Sequence, residues 1–571
     1  MIEKYRVPKT TQTYADTLVA VGIADLFATL PGDGYSAREV QIVDQGDAYC
    51  LTVNPPVDPE KAKSARLMPD YPYIKFKKTD EAPAGVEVID YEAEKEKGDR
   101  FKKFSQAVKS SGRKKSIPVE MEEMPREPHP DLQLLKDFND LRGPSNSYNK
   151  LILSLLEKKS LAEAVVKKLT ANETEQDKKL KVSNLQFFSP VSGKGVHRPK
   201  PDGTGPGSLS DRLVDWFDEW MKYRAMYKVM CSYKVGDDTK VLVLDPGEIS
   251  LARLKEVRGD FVKIPLGGEA LHLEIMAALS LAEILISKSD FFQGRQGLAL
   301  LRRRPNQIIR GIKSVLFKKM SAFGKATMSV SFLGLPGWFP VLSREDAEAW
   351  LDILAEHKRC VRILINESIS NEKISDPVPL LQGYRDFISS GSHWDFLSFS
   401  ADYGTFIVRR LARNEWVEQF SIPNLRRLFM SYGLKEIIEN EGFLNIARAI
   451  RRATVSAQFS KAKEKEKDGT MKFDIHYGLA QEWKRKVKYP EQFVVVLSDF
   501  VQQYNAENAR HAELAAKKPE QYKERRKSIT DRDLNEVIGL IDNEKYGSEL
   551  VGMLLLAYGY AREESKVKEE E

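Results

Sequence analysis

The sequence predicts an α+β protein, with a large irregular mixed α/β N-terminal domain over residues 1–410 and a C-terminal helical bundle over 411–571. Three observations predict it. Segments with strand character, at 39–45, 48–53, 240–245 and 326–333, fall in the first part. From about Asn414 onward, apolar residues recur at helical spacing almost without a break. Hydrophobic residues make up 42% of the 571 positions against 30% charged, enough for substantial cores, which excludes a wholly disordered chain.

In chain order, residues 11–30 read as a helix that Thr13 caps, with Asp16 three positions on, and Pro31-Gly32-Asp33-Gly34 stops it. Strands follow at 39–45 and 48–53. Residues 55–130 are polar, Pro-rich and charged, and predict long excursions with short strands at 73–76 and 86–89. The basic run 101–115 reads as a solvated loop. Leu132, Leu135, Phe138 and Leu141 predict helix over 131–169. Residues 210–231 predict a strong helix whose Trp216, Phe217 and Trp220 belong to a core rather than to a stacking platform. Gly236-Asp237-Asp238 has the look of a polymerase-palm turn, but its strand-like flanks make it a hairpin turn. Residues 326–333 predict a strand before a Gly/Pro loop holding Trp338. Helices are predicted at 424–430, 434–439, 443–459, 475–486, 491–504, 530–542 and 546–562. No repeat of fixed period is present.

Several classes of chemistry lack their sequence marks. Cys50, Cys231 and Cys360 lie far apart with no CxxC pair, which argues against a zinc ribbon or a disulfide framework and for buried thiols in a reducing compartment. HExxH, GxSxG, Walker A and a His-Asp dipeptide are absent, and the seven histidines show no ligand spacing. No catalytic residue, metal site or cofactor is expected. No apolar run reaches the ~18 residues of a membrane span, the best candidate, 550–560, being too short, and the first residues lack the apolar core of a secretory signal. The expectation is a soluble, cytoplasmic protein without a membrane partner.

Charge is informative through its placement rather than its sum, which is only +6. Residues 291–344 contain no acid, where the chain average of 83 in 571 would place about eight. They carry Arg295, Arg302, Arg303, Arg304, Arg310, Lys313, Lys318, Lys319, Lys325 and Arg344. A solvated helix face usually mixes both signs, whereas a surface for phosphate excludes carboxylates. Asn306 and Gln307 add groups able to read base edges, and Gly294, Gly297, Gly311 and Gly324 would let backbone approach a ligand. A second acid-free stretch, 442–463, sets Arg448, Arg451 and Arg452 on one helix face, with Phe443, Ile446 and Ile450 mostly on the other. A third feature, 189–207, is a Gly/Pro loop with Lys194, Arg198 and Lys200. These residues are the candidate nucleic-acid contacts; the alternative is that their charges pair with acids from elsewhere in the fold.

Tyr14-Ala-Asp-Thr-Leu-Val-Ala-Val-Gly-Ile-Ala-Asp-Leu resembles the start of large subunits of type I CRISPR Cascade complexes, nearest to the I-B-like group. Similar to the same family are Phe443-Leu-Asn-Ile-Ala-Arg-Ala-Ile-Arg-Arg-Ala-Thr-Val, the loop Gly193-Lys-Gly-Val-His-Arg-Pro-Lys, and the closing Ile529-Thr-Asp-Arg-Asp-Leu with Ser548-Glu-Leu and Leu555-Leu-Ala-Tyr-Gly. The resemblance implies a non-enzymatic subunit near the 5′ end of a CRISPR guide RNA. Such subunits recognise the protospacer-adjacent motif on double-stranded DNA, help open the duplex and stabilise the R-loop and its displaced strand. They also dock a helicase-nuclease recruited in trans, or transposition proteins in mobile-element systems. Implied partners include the Cascade backbone subunits, the subunit at the guide 5′ end and the small subunits. On this resemblance 291–344 would contact duplex and motif, Arg448, Arg451 and Arg452 would track a strand backbone, and the C-terminal bundle would correspond to the small subunit, with Met430 as a candidate internal start. Two other readings stay open: a nucleic-acid-binding scaffold outside CRISPR, and a diverged metal-dependent nuclease subunit.

Overall fold

The computed structural model describes residues 1–30, 38–65, 67, 72–111, 127–140, 144–158, 161–171, 187–189, 215–320, 325–370, 376–459, 473–517 and 526–563. It is a mixed α+β fold with a helical C-terminal region, as predicted. The chain forms two compact units, Met1–Leu300 with Pro305–Leu335 and Leu301–Arg304 with Pro336–Glu571. The division expected at 410/411 therefore falls inside the second unit.

The first unit holds two four-stranded antiparallel sheets. One has the order β1-β3-β2-β8, from β1 (Ile2–Pro8), β2 (Glu39–Asp44), β3 (Ala48–Val57) and β8 (Glu248–Ser250). The other has the order β10-β9-β7-β6, from β6 (Met230–Val235), β7 (Asp238–Pro246), β9 (Ile309–Lys319) and β10 (Lys325–Gly334). A short parallel pair joins β4 (Tyr73–Lys75) and β5 (Val88–Asp90). β7 is buried from Thr239 to Pro246, which its Val-Leu-Val-Leu run suits. The Gly236-Asp237 turn joins β6 to β7 with Gly236 at φ +60, so the hairpin expected there is present.

The Tyr14–Thr29 helix is buried on nearly every side. Gly22 lets it cross the Trp216–Val229 helix closely, since a Cβ there would stand 2.1 Å from the Met221 carbonyl oxygen. Thr13 caps the first helix by accepting from Ala15 N at 3.2 Å. Asp16 reaches back instead to Thr11, accepting its N–H at 3.0 Å and its hydroxyl at 2.9 Å. Trp216, Phe217 and Trp220 are core, as expected. The Ala270–Ser287 helix covers the second sheet, where Glu274 pairs with Lys240 at 2.6 Å and accepts from Ser314 and Ser331.

Three expectations for this unit need correction. The part of the basic run that is described, 101–111, is helix rather than loop, the end of Tyr91–Ser111. By length and composition Ala270–Ser287 could cross a membrane, with mean hydropathy 1.7, because His272, Glu274 and Glu283 interrupt its apolar run without lowering the average far; 67% of it is buried inside the fold. Gly297 and Gly311 serve packing, not ligand approach. A Cβ would come within 2.4 Å of Asp290 N at the first and 2.3 Å of the Leu333 carbonyl oxygen at the second.

The second unit is built of helices, which begin at Arg344–Ile369 and continue through Val378–Ser390 and His393–Ala412. An aromatic core joins Trp338, stacked on Trp350 at 4.8 Å, to His357, Phe387, Phe396 and Phe420. Each ring contributes about 2 kcal/mol or more through burial. Trp338, assigned to a Gly/Pro loop, is 2% exposed at the centre of this core. The helices Ile422–Ser431, Glu441–Arg451, Leu479–Lys486, Pro490–Lys517, Asp531–Ile541 and Gly547–Gly559 follow. Gly547–Gly559 is buried at Ser548 and from Leu550 onward. Gly552 and Gly559 let it approach its neighbours, because a Cβ at either would fall within 2.5 Å of Val487 or Ile450. The predicted helix at 443–459 runs as α-helix to Arg451 and then as a π turn over Arg452–Ser456.

Candidate nucleic-acid interface

The acid-free segment 291–344 is divided between the two units. In the first unit Arg295 is exposed on the short turn Gly294–Gln296. Gln307 is exposed and Asn306 half-buried, its amide oxygen turned inward. The remaining bases of this unit lie on the β9–β10 hairpin, and their fates differ along it.

Lys313 points into the fold. It pairs with Asp245 at 2.9 Å and donates to Thr17 and Tyr49 at 3.0 Å each, and its side chain is 16% exposed. Tyr49 donates to Asp245 as well, and burial pushes its phenol well above the usual range. Lys313 is thus an internal counter-ion, not the phosphate ligand expected from the sequence. Arg310 also has an acid from elsewhere: it pairs with Asp44, which Lys9 meets at 2.6 Å. The Asp44 bond raises the Arg310 pKa; burial raises that of Asp44, but bonds from Lys9 and Arg310 outweigh it and hold the carboxyl low. Arg310 remains 46% exposed, so it is diverted rather than removed. At the far end of β9, Lys318 and Lys319 are exposed. Lys319 lies 3.7 Å from Asp237, itself 83% exposed, a pairing of little energy in water.

In the second unit Arg302 and Arg304 are exposed and Arg303 is half-buried. Arg302 adopts φ +63, a left-handed backbone held in place as its N–H donates to Val341 at 2.7 Å. Arg304 lies near Tyr432, whose phenol burial pushes up to about 12 with the arginine charge acting against it.

The second acid-free stretch also divides. Arg451 is 6% exposed and donates to the carbonyls of Tyr558, at 2.6 Å, and Ala561, and it pairs with Glu563 at 2.5 Å. It satisfies carbonyls at the end of the Gly547–Gly559 helix, which a cation there suits. Burial lowers its pKa to about 10, and Arg448 and Arg452 add to the lowering. Arg451 is therefore a structural strut and not a strand contact. The sequence places it on a shared arginine face, but i+3 is far enough around the helix to point it inward. Arg448 stays exposed, 3.4 Å from Glu563 and 3.0 Å from Asn445. Arg452 is half-buried beside it.

Arg448 and Arg452 line a cavity of about 160 Å³ together with Arg526, Lys527 and Ser528. Arg526 and Lys527 are not among the candidate contacts read from the sequence. Their signal is the run Arg525-Arg526-Lys527 just before the Thr530 helix cap. Lys194, Arg198 and Lys200 lie outside the described residues. Among the described residues no group of three or more His, Cys, Asp or Glu side chains could hold a metal ion. Cys231 and Cys360 are buried free thiols, and burial pushes Cys231 up to about 11. Comparison with protein-family models and with curated proteins finds no match for the chain.

Proposed function

We propose that this chain is a non-catalytic, nucleic-acid-binding large subunit of an RNA-guided DNA surveillance complex of the type I CRISPR Cascade kind, acting in the cytoplasm in antiviral defence. In that role it recognises the protospacer-adjacent motif, helps open duplex DNA, stabilises the R-loop and docks a helicase-nuclease or transposition proteins. Its partners are the guide RNA, the target duplex and displaced strand, and the backbone, guide-5′-end and small subunits. One observation carries the nucleic-acid part of this reading. After the fold has taken Lys313 and Arg451 for itself, Arg295, Arg302, Arg304, Lys318, Lys319 and Arg448 stay exposed on segments without a single carboxylate. Exposed like charges repel, and a polyanion relieves the repulsion while releasing its own counterions. The assignment to a guide complex rests on the sequence resemblance. Purification from the native host with sequencing of bound RNA tests it: repeat-derived RNA of uniform length is expected, and a chain free of such RNA would contradict the guide-complex role.

A further inference from the structure

Resting on the nucleic-acid reading, we infer that the second unit contains a preformed seat for one phosphate group, the cavity between the Glu441–Arg451 helix and the loop that precedes Asp531–Ile541. One wall carries Arg448 and Arg452; the other carries Lys527 and Ser528. The described lining has no carboxylate. Two acids stand directly behind that lining: Glu507 pairs with Arg526 at 3.2 Å and Asp533 accepts from Asn445 at 2.7 Å, and both of these partners line the cavity. A volume of about 160 Å³ is several times the ~30 Å³ share of a water molecule, room for a tetrahedral oxyanion. The basic lining suits a phosphate, and the nucleic-acid reading makes its source a strand that passes over the mouth.

The seat is rigid before any ligand arrives. Asn505 holds the Ile529 main chain from both sides, donating to its carbonyl at 2.8 Å and accepting its N–H at 2.9 Å. Thr530 and Asp533 close a capping box one residue later. Arg526 is pinned between Glu507 and the Phe473 ring, 3.2 Å from its centroid. Lys527 and Ser528 are therefore presented, exposed, from a fixed loop. On the opposite wall Arg452 opens the π turn, and the Ala453 carbonyl accepts from His476 N at 3.0 Å. Single π turns inside helices recur at functional sites, where they re-aim side chains. Arg448 keeps Asn445 and Glu563 as neighbours at 3.0 and 3.4 Å from an exposed position, and an anion in the cavity adds a charge-assisted contact to it while Lys527 and Ser528 meet the anion from the facing wall.

The test uses the full chain, a labelled oligothymidine strand and, separately, inorganic phosphate. Lys527→Gln with Ser528→Ala changes only exposed side chains and should not unfold the protein; Lys435→Gln, an exposed lysine outside the cavity lining, is the control. The seat predicts a strand affinity lowered roughly 3- to 10-fold in the double variant and a salt slope smaller by about 0.7, one phosphate on a single strand. It also predicts that phosphate raises the melting temperature of the wild type more than that of the double variant. An unchanged slope with the phosphate effect intact would make the cavity a site for the free anion and overturn the strand assignment. If the wild type binds no strand, the nucleic-acid reading itself fails. The phosphate arm then decides alone: a rise confined to the wild type retains the anion seat, and an equal rise in both proteins removes it.

Discussion

Arg451 donates to the Tyr558 carbonyl at 2.6 Å and pairs with Glu563 at 2.5 Å, whereas Arg448, one turn earlier, meets the same carboxylate at 3.4 Å from an exposed position. Removing the first leaves buried carbonyls without a donor; removing the second leaves nothing uncompensated. Arg451→Ala should lower stability by about 3 kcal/mol in urea unfolding, and Arg448→Ala by less than about 0.5 kcal/mol. The order should reverse for strand affinity measured where both variants are folded. His357 makes a second prediction at this scale. It is buried among aromatic rings with Nδ1 2.8 Å from the Tyr384 hydroxyl, and burial holds its pKa at about 3. The unfolded chain takes up the proton near 6.5, so stability is full above that pH and falls as pH drops from 6.5 toward 3. Between pH 7 and 4.5 this one group should remove about 3 kcal/mol. His357→Gln should flatten that part of the pH dependence in denaturant titrations; a slope identical to the wild type would show that His357 is not the titrating group.

A single hairpin, β9–β10, carries both kinds of base. Lys313 near its middle neutralises Asp245, and Lys318 and Lys319 stand at its end. Lys313→Met should cost about 3 kcal/mol, because it strands a buried carboxylate, and should leave the salt dependence of duplex binding unchanged. Lys318→Ala with Lys319→Ala should do the opposite, reducing the salt slope by up to about 0.9 per contact on duplex DNA at nearly constant stability. The two effects are read from urea titration and from binding at several salt concentrations. The sequence made some elements plain and hid others, for physical reasons. The Tyr14–Thr29 helix and β7 were legible because their apolar content and stop signals agree with their burial. β9 was missed as a strand. Its lysines and Gly311 read as a ligand surface, and only the partner strand reveals that Gly311 lies against the Leu333 carbonyl and Lys313 against Asp245. The helix over 101–111 was hidden by a basic composition that suits a solvated helix as well as a loop.

At the scale of the molecule, what escaped the sequence is which distant segments pack together. The second unit begins near Pro336 because Trp338 stacks on Trp350 and the His393–Ala412 helix meets the closing residues, with a Cβ at Gly404 only 2.6 Å from the Tyr560 ring. Helical periodicity alone does not report such long-range contacts. It follows that a product starting at Met430 would lack Trp338, Trp350 and the His393–Ala412 helix. A fragment of residues 430–571 should fail to unfold cooperatively, while a fragment starting at 336 should show a sigmoidal transition; thermal melts of the two decide it. The split of 291–344 between the units was equally invisible, and it divides the exposed cations of one basic segment between two units. The account as a whole holds that these cations grip the sugar-phosphate backbone. Binding of the intact chain to a DNA duplex and to a single strand, across a range of monovalent salt, measures this most directly. The account predicts that log affinity falls linearly with log salt, with a slope of several units on duplex, at about 0.9 per phosphate neutralised. Affinity that does not change with salt, or no binding at the lowest salt, would contradict it.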